Sequence, residues 1–406
     1  MEMEFAVTGP MLSNPATIIH PFPDDFKFFI NDIRNVRYDA GHTREQKLFA
    51  LCVCAENYLY KCGVFTYNKA EMDFKKILFF KPGAIGDFLH TLPALTALKK
   101  KFPAAQVTVV VSPGQESLIQ GTHLADSVLV FDKSFLKKRF KHFLDFGLRL
   151  RRQHYDLVVD MQPSLRSLVL RLLTGAKITL VYRKQKKARR GERRLHAAEN
   201  FMETLRPIGI HDRVEEIALP IKLEAAQSVD RFLSQQGVER DSLLIALNCS
   251  AGAARPARNW HPERFAALGD RLIEELGTAV IFVGGKEDRD LVARVMSLMK
   301  HRAVSAAGLL SIPETAALFS RCNCLVSSDT GPLHLATSVR APVIGLFGST
   351  DPRRTGPVGK RQRVLREELS CVPCEEKNCP LGTRACMAAI TVDEVFQAVR
   401  SMVACE

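Results

Sequence analysis

Residues 324–352 read CLVSSDTGPLHLATSVRAPVIGLFGSTDP, and the fold is decided by how this stretch is parsed. A short apolar run from Cys324 stops at Ser327, Ser328 and Asp329, the pattern of a strand running into a turn. A helix is expected from about Pro332 to Val339, and Pro342 to Phe347 supplies a second strand with its own turn, GSTDP. In a parallel sheet both turns fall at the carboxyl edge. There, helix N-termini present unpaired N–H groups and positive dipole ends, so the natural guest is a phosphate. Ser, Asp and Thr are also ordinary helix caps, and the stretch taken alone suits that role equally well.

The same alternation extends outward in both directions. Strands are expected at Leu243–Leu247, Ala279–Val283, Cys324–Ser327 and Val343–Phe347, with helices around Pro262–Leu276, Asp288–Met299 and Pro313–Ser320. An earlier series runs Ile77–Phe80, Val107–Val111, Ser127–Phe131, Leu157–Asp160 and Ile178–Val181, with a helix over Phe88–Lys101. Strand and helix in alternation argue for an α/β protein of two doubly wound, Rossmann-like domains facing a cleft. They are expected at 74–238 and 239–406, after an N-terminal extension over 1–73. That extension carries no chemical pattern, is expected to be helical around 43–60, and precedes a natural-looking start at Met72.

Composition narrows the partners. With 406 residues, 46% hydrophobic and 25% charged, the chain suits two globular domains with separate cores. A net charge of +13 favours an anionic partner: nucleic acid, a membrane surface or a phosphorylated substrate. No apolar run is long enough to span a bilayer, and the opening MEMEFAVTGP lacks the basic-then-apolar order of a secretory signal. A cytoplasmic protein is expected, and its eleven cysteines suit reduced thiols better than a disulfide framework.

The spacing Asp329-Thr330-Gly331-Pro-x-His334-x-Ala336, followed by Gly345-x-Phe347-Gly348-x-Thr350-x-Pro352, resembles the nucleotide-sugar half of glycosyltransferase family nine, the heptosyltransferases of lipopolysaccharide core assembly. The resemblance runs from about Lys76 to Glu406. It implies a GT-B-type fold whose last helix, Val392–Val403, crosses back onto the first domain. It also implies ADP-heptose as donor, with Asp329, Thr330, Gly331 and His334 among the donor-binding residues.

Three further motifs carry chemistry. Gly83-Ala-Ile-Gly86-Asp87-Phe-Leu-His90-Thr-Leu-Pro93 is neither a dinucleotide fingerprint nor a Walker loop; it places a carboxylate at the mouth of the cleft. Asp87 can be a first-turn acid stabilised by the helix dipole, or the base that takes the acceptor's hydroxyl proton in an inverting transfer. The family's GD-x-x-x-T-x-P motif gives it the second role, and His90 reads as a packing histidine. The second domain opens with Asn248-Cys-Ser250-Ala-Gly252-Ala-Ala-Arg255-Pro-Ala-Arg258-Asn-Trp260, a small-residue loop and a cation ahead of a helix. Where the family has a diphosphate-binding lysine, two residues before a tryptophan, this chain has Arg258, a departure that keeps the charge as a two-pronged donor. Ser250 and Gly252 line that loop, and Glu287 matches the family's ribose-binding acid. The neighbouring Asp288-Arg-Asp290 could hold a metal on a diphosphate or simply open a helix; the second reading is preferred, and no catalytic cofactor is expected.

Two features lie outside the reaction proper. Residues 182–194, YRKQKKARRGERR, hold eight Lys or Arg among thirteen positions. Such a run is a solvated loop or a hold on an anionic lipopolysaccharide acceptor; Lys186, Lys187, Arg189 and Arg190 are the acceptor-binding candidates. Nucleic acid is not expected, for want of interleaved aromatics, while peripheral contact with the inner membrane surface is. Cys371, Cys374, Cys379 and Cys386 could be reduced thiols, the ligands of a structural zinc or iron, or disulfides. The reading is of a metal-independent inverting heptosyltransferase acting on the inner core of lipopolysaccharide. A protein O-heptosyltransferase with the same donor, and a nucleotide-sugar-binding module without turnover, are the alternatives.

Overall fold

Each β-branched run between residues 76 and 181 becomes a strand and each amphipathic stretch after it a helix, and the pattern repeats between 244 and 365. The computed structural model describes residues 17–19, 72–132, 140–185, 194–214 and 216–404. In chain order the first half contains β1 (Thr17–Ile19), β2 (Lys76–Phe80), α1 (Ile85–Leu89), α2 (Leu92–Lys101), β3 (Gln106–Val111), α3 (Glu116–Ile119), β4 (Ser127–Val130), α4 (Phe140–Arg151), β5 (Leu157–Asp160), α5 (Leu165–Thr174), β6 (Ile178–Val181) and α6 (Ala197–Glu203). The second half contains α7 (Leu223–Gln235), β7 (Leu244–Asn248), α8 (Pro262–Leu276), β8 (Ala279–Phe282), α9 (Arg289–Ser297), β9 (Val304–Ser305), α10 (Ile312–Arg321), β10 (Cys324–Ser328), α11 (Gly331–Ser338), β11 (Val343–Leu346), α12 (Pro352–Thr355), β12 (Gln362–Leu365), α13 (Ala385–Ala389) and α14 (Val392–Ala404).

The strands form two six-stranded sheets, ordered β1-β6-β5-β2-β3-β4 and β12-β11-β10-β7-β8-β9. All pairs are parallel except β1 with β6. β5, β7 and β10 are buried along their whole length, as parallel strands covered by helices on both faces must be. In each sheet the strand order reverses direction at the centre, between β2 and β5 and between β7 and β10, and the loops leaving those strands open into a crevice. These are the loops that carry Asp87, Arg258 and Asp329.

The structure differs from the sequence reading in several places. The helix expected over 88–101 is two helices, α1 and α2, broken at His90–Thr91. Pro93 has no N–H to return to Leu89, and Thr91 Oγ1 donates to the Phe88 carbonyl at 2.6 Å instead of extending α1. Within the N-terminal extension, residues 17–19 form a strand on the edge of the first sheet; the helix expected at 43–60 lies outside the described residues. α7, which precedes the expected boundary, packs on α10 in the second half. The last helix, expected to cross back onto the first domain, packs instead on α8 and against β10, β11 and β12. Its apolar stripe, Val395, Phe396 and Val399, completes the core around Trp260 and Phe265, which would otherwise stand open to water.

The two halves meet through small residues. A Cβ on Gly86 of α1 would come within 2.9 Å of His334 Cδ2, and one on Gly331 of α11 within 2.5 Å of Ile85 Cγ2. Only glycine lets α1 and α11 approach this closely.

Candidate active site

The donor-side half is built on the switch between β7 and β10. Asn248 ends β7, and its Nδ2 donates to the Ser250 carbonyl (3.0 Å), Ser327 Oγ (2.9 Å) and Thr330 Oγ1 (3.1 Å), which ties the two loops together. Ser250 Oγ accepts from the Gly252 N–H at 3.0 Å, and Gly252 turns at φ +75° with open space where a side chain would stand. That left-handed turn is where glycine is needed. Arg258 Nη1 lies 3.1 Å from Asp329 Oδ2 and donates to the Asp329 carbonyl at 2.6 Å, while its Nε, also buried, has no hydrogen-bond partner among the described residues. Burial lowers the guanidinium's pKa against the pull of Asp329.

Asp329 is almost fully enclosed. Burial pushes its pKa up, but His334 (Nε2 to Oδ1, 3.3 Å) and the Arg258 charge outweigh this and hold it below the ordinary carboxylate value. Thr355 Oγ1 donates to its other oxygen at 3.0 Å. The arrangement leaves Arg258 Nε without a partner among the described residues, on a cation beside the N-terminus of α11, a combination that favours an anion.

Asp87 stands opposite, in the first turn of α1. It is exposed, and among the described residues its carboxylate makes no hydrogen bond or ion pair. The N-cap of α1 is Ala84, so capping does not consume the carboxylate. Its charge acts on both Arg258 and Tyr182; burial and then Asp87 push the Tyr182 hydroxyl up to about 12. Asp87 lines a cavity of about 330 Å³ with Lys81, Gln162, Tyr182, Lys184 and Arg354.

Lys81 and Arg354 escaped the sequence reading. Lys81 reads as the end of a strand, yet it is buried, donates to Gln162 Oε1, and lies 5.3 Å over the Phe201 ring. A lysine between four apolar strand residues and Pro82-Gly83 was the available signal. Asp160 is fully buried beside Arg171 at 3.3 Å, and its Oδ1 accepts from the Gln162 N–H, so it shapes the cavity from behind. Burial raises its pKa, with Arg171 opposing.

The remaining candidates divide. Lys184, at the start of the basic run, lines the cavity; Arg194, at its end, reaches Glu375 (3.3 Å) and Asp351 (3.6 Å) in the second half. Lys186, Lys187, Arg189 and Arg190 lie outside the described residues. Glu287 is exposed on the short turn after β8, and Asp288 Oδ2 is spent on the Gly285 N–H at 2.8 Å. In the four-cysteine loop Cys379 Sγ accepts from the Arg384 N–H at 3.3 Å and Cys386 is a buried residue of α13; among the described residues no group of His, Cys, Asp or Glu is placed to hold a metal ion.

The chain and its fold are similar to known proteins. The chain is 25% identical over 304 residues to the lipopolysaccharide core heptosyltransferase OpsX of Haemophilus influenzae, a match covering 72% of this chain and 84% of that protein. Its fold matches a glycosyltransferase family 9 structure from Veillonella parvula at a TM-score of 0.71, with 24% identity over 83% of this chain and 99% of the other. It also matches the E. coli heptosyltransferase WaaC with ADP at 0.60, with 20% identity over 80% and 99%. The family model for glycosyltransferase family 9 (heptosyltransferase) matches residues 143–384, more than half of the chain, and the protein belongs to that family.

Proposed function

We propose that the protein transfers heptose from ADP-heptose to an inner-core sugar of lipopolysaccharide, with inversion and without a metal ion. The donor is suggested by the ADP in the WaaC structure and the acceptor by the OpsX relative. The observation that carries the reading is the placement of Asp87: a carboxylate with no hydrogen bond or ion pair among the described residues, on the rim of a basic cavity, across from the Arg258–Asp329 pair.

In this reading the cavity takes the acceptor, with Lys81, Lys184 and Arg354 facing its negative charge. The acceptor oxygen attacks the anomeric carbon as the bond to the diphosphate oxygen breaks on the opposite face. The hydroxyl proton passes to Asp87, and the charge that develops on ADP is met by Arg258 and the N-terminus of α11. A fixed guanidinium and helix dipole supply what a divalent cation supplies elsewhere. Asp288 and Asp290 fit the role of helix-opening acids on α9.

The test is release of ADP when ADP-heptose is mixed with core-truncated lipopolysaccharide, with and without EDTA. Release at equal rates in both is expected. No release in either sinks the reading, and loss in EDTA with recovery on adding magnesium or manganese sinks its metal-free part.

A further inference from the structure

Between the two halves of the site stand three histidines, none of which takes the proton in the proposed transfer. His90 ends α1, His196 precedes α6, and His334 lies on α11. The His90 ring centroid is 4.3 Å from that of His334 and 5.2 Å from that of His196. His196 is fixed in one tautomer: its Nδ1 accepts from the Ala198 N–H at 3.2 Å, so the proton sits on Nε2, 3.0 Å from the Gly356 carbonyl of the second half. His334 holds Asp329, and through it Arg258. His90 differs from both. It is 7% exposed and its Nε2 has no hydrogen-bond partner among the described residues, a standing cost to the fold.

We propose that His90 is a positioning residue: its ring, packed at a tilt against that of His334, fixes where the Asp87 carboxylate stands relative to the Arg258–Asp329 pair. The inference rests on the heptosyl-transfer reading above. Asp87 and His90 are three residues apart, one turn of the same helix, so a shift of the ring moves the carboxylate with it. On the other side, the contact runs through His334 and Asp329 to Arg258, and Gly86 leaves no slack between α1 and His334.

The groups facing His90 are His334 from α11, His196 from the loop before α6, and Lys81 from the end of β2. Burial first, and then these three, hold its pKa well below the ordinary histidine value. Burial lowers His196 in the same way, opposed by the Gly356 carbonyl and by Glu199 and Asp329. The depressed folded value gives the sign. The packed arrangement is fully supported above the unfolded pKa of about 6.5, and that support is lost as pH falls through the folded value.

Three proteins decide the matter: wild type, His90→Ala and His90→Phe, each assayed for transfer between about pH 8 and pH 5. His90→Ala is expected to lower kcat by about ten- to a hundredfold, the effect of a misplaced base. Its Kd for ADP, by calorimetry, should stay within about twofold of wild type, because the donor half keeps its own pair. Phenylalanine keeps a stacking ring that cannot charge, so it should recover most of that kcat and hold it at acid pH, where wild type declines. A His90→Ala enzyme with wild-type kcat overturns the inference, as does a His90→Phe enzyme with the wild-type acid limb. Should the alanine variant not fold, His90→Gln takes its place. Small-angle scattering supplies an arm that needs no turnover: the radius of gyration of wild type with ADP should grow on acidification and that of His90→Phe should not. Equal growth in both overturns the inference even if wild type transfers no heptose, a result that would sink only the functional reading.

Discussion

At the scale of single residues, similar groups have been placed differently. Asp87 and Asp329 are both carboxylates at the carboxyl edge of a sheet. Asp329 is buried, bonded by His334 and Thr355 and paired with Arg258, so it remains ionised and fixed. Asp87 is exposed and makes no hydrogen bond or ion pair among the described residues, which in the proposed reaction leaves it able to accept a proton. Asp87→Asn should therefore lower kcat by about a hundredfold or more while ADP affinity holds, checked by ADP release and calorimetry. Activity within a few-fold of wild type would remove it as the base. Arg258→Ala strands a buried carboxylate, so loss should appear in donor Kd, in kcat and in stability, the last by roughly 3–5 kcal/mol. Arg258→Lys restores the charge but not the fork, and should recover part of the donor affinity. Unchanged donor affinity and rate in the alanine variant would place the diphosphate elsewhere.

At the scale of elements, α1 and α11 approach closely, two short helices that start from the two switch points. Gly331 reads in the sequence as part of a donor-binding turn; in the structure it also makes room for Ile85. Gly331→Ala should force the two halves apart, costing roughly 1–3 kcal/mol of overpacking and lowering kcat more than it raises the donor Kd. Thermal unfolding and steady-state kinetics measure the two. An alanine variant with wild-type kcat and melting temperature would show that the contact gives way. The break between α1 and α2 belongs to the same scale. Pro93 is visible in the sequence, but the apolar period runs across it, and the break shows only when the hydrogen bond it cannot make is counted.

At the scale of the whole molecule, the proposed reaction depends on bringing two carboxyl edges together, and several contacts do so. Among them are the α1–α11 packing, α3 against α10, the His90–His334 contact, His196 against the Gly356 carbonyl, and Arg194 reaching Asp351 and Glu375 from the end of the basic run. The same run was expected to hold the acceptor, and the structure divides it: Lys184 faces the cavity and Arg194 joins the halves.

The sequence by itself determined the two alternating α/β series, the strands that become the sheets, and the loops at which Asp87, Arg258 and Asp329 stand. Each of these is a local matter, written in periods of two and 3.6 residues and in turn chemistry. Only the tertiary structure decided which residues from distant segments share a space. Lys81, Arg354 and Tyr182 meet in one cavity, His90 meets His334, and the last helix turns to its own domain's core because Trp260 and Phe265 are there to be covered. None of these contacts has a local signature, since each is fixed by the burial of surface between elements far apart in the chain.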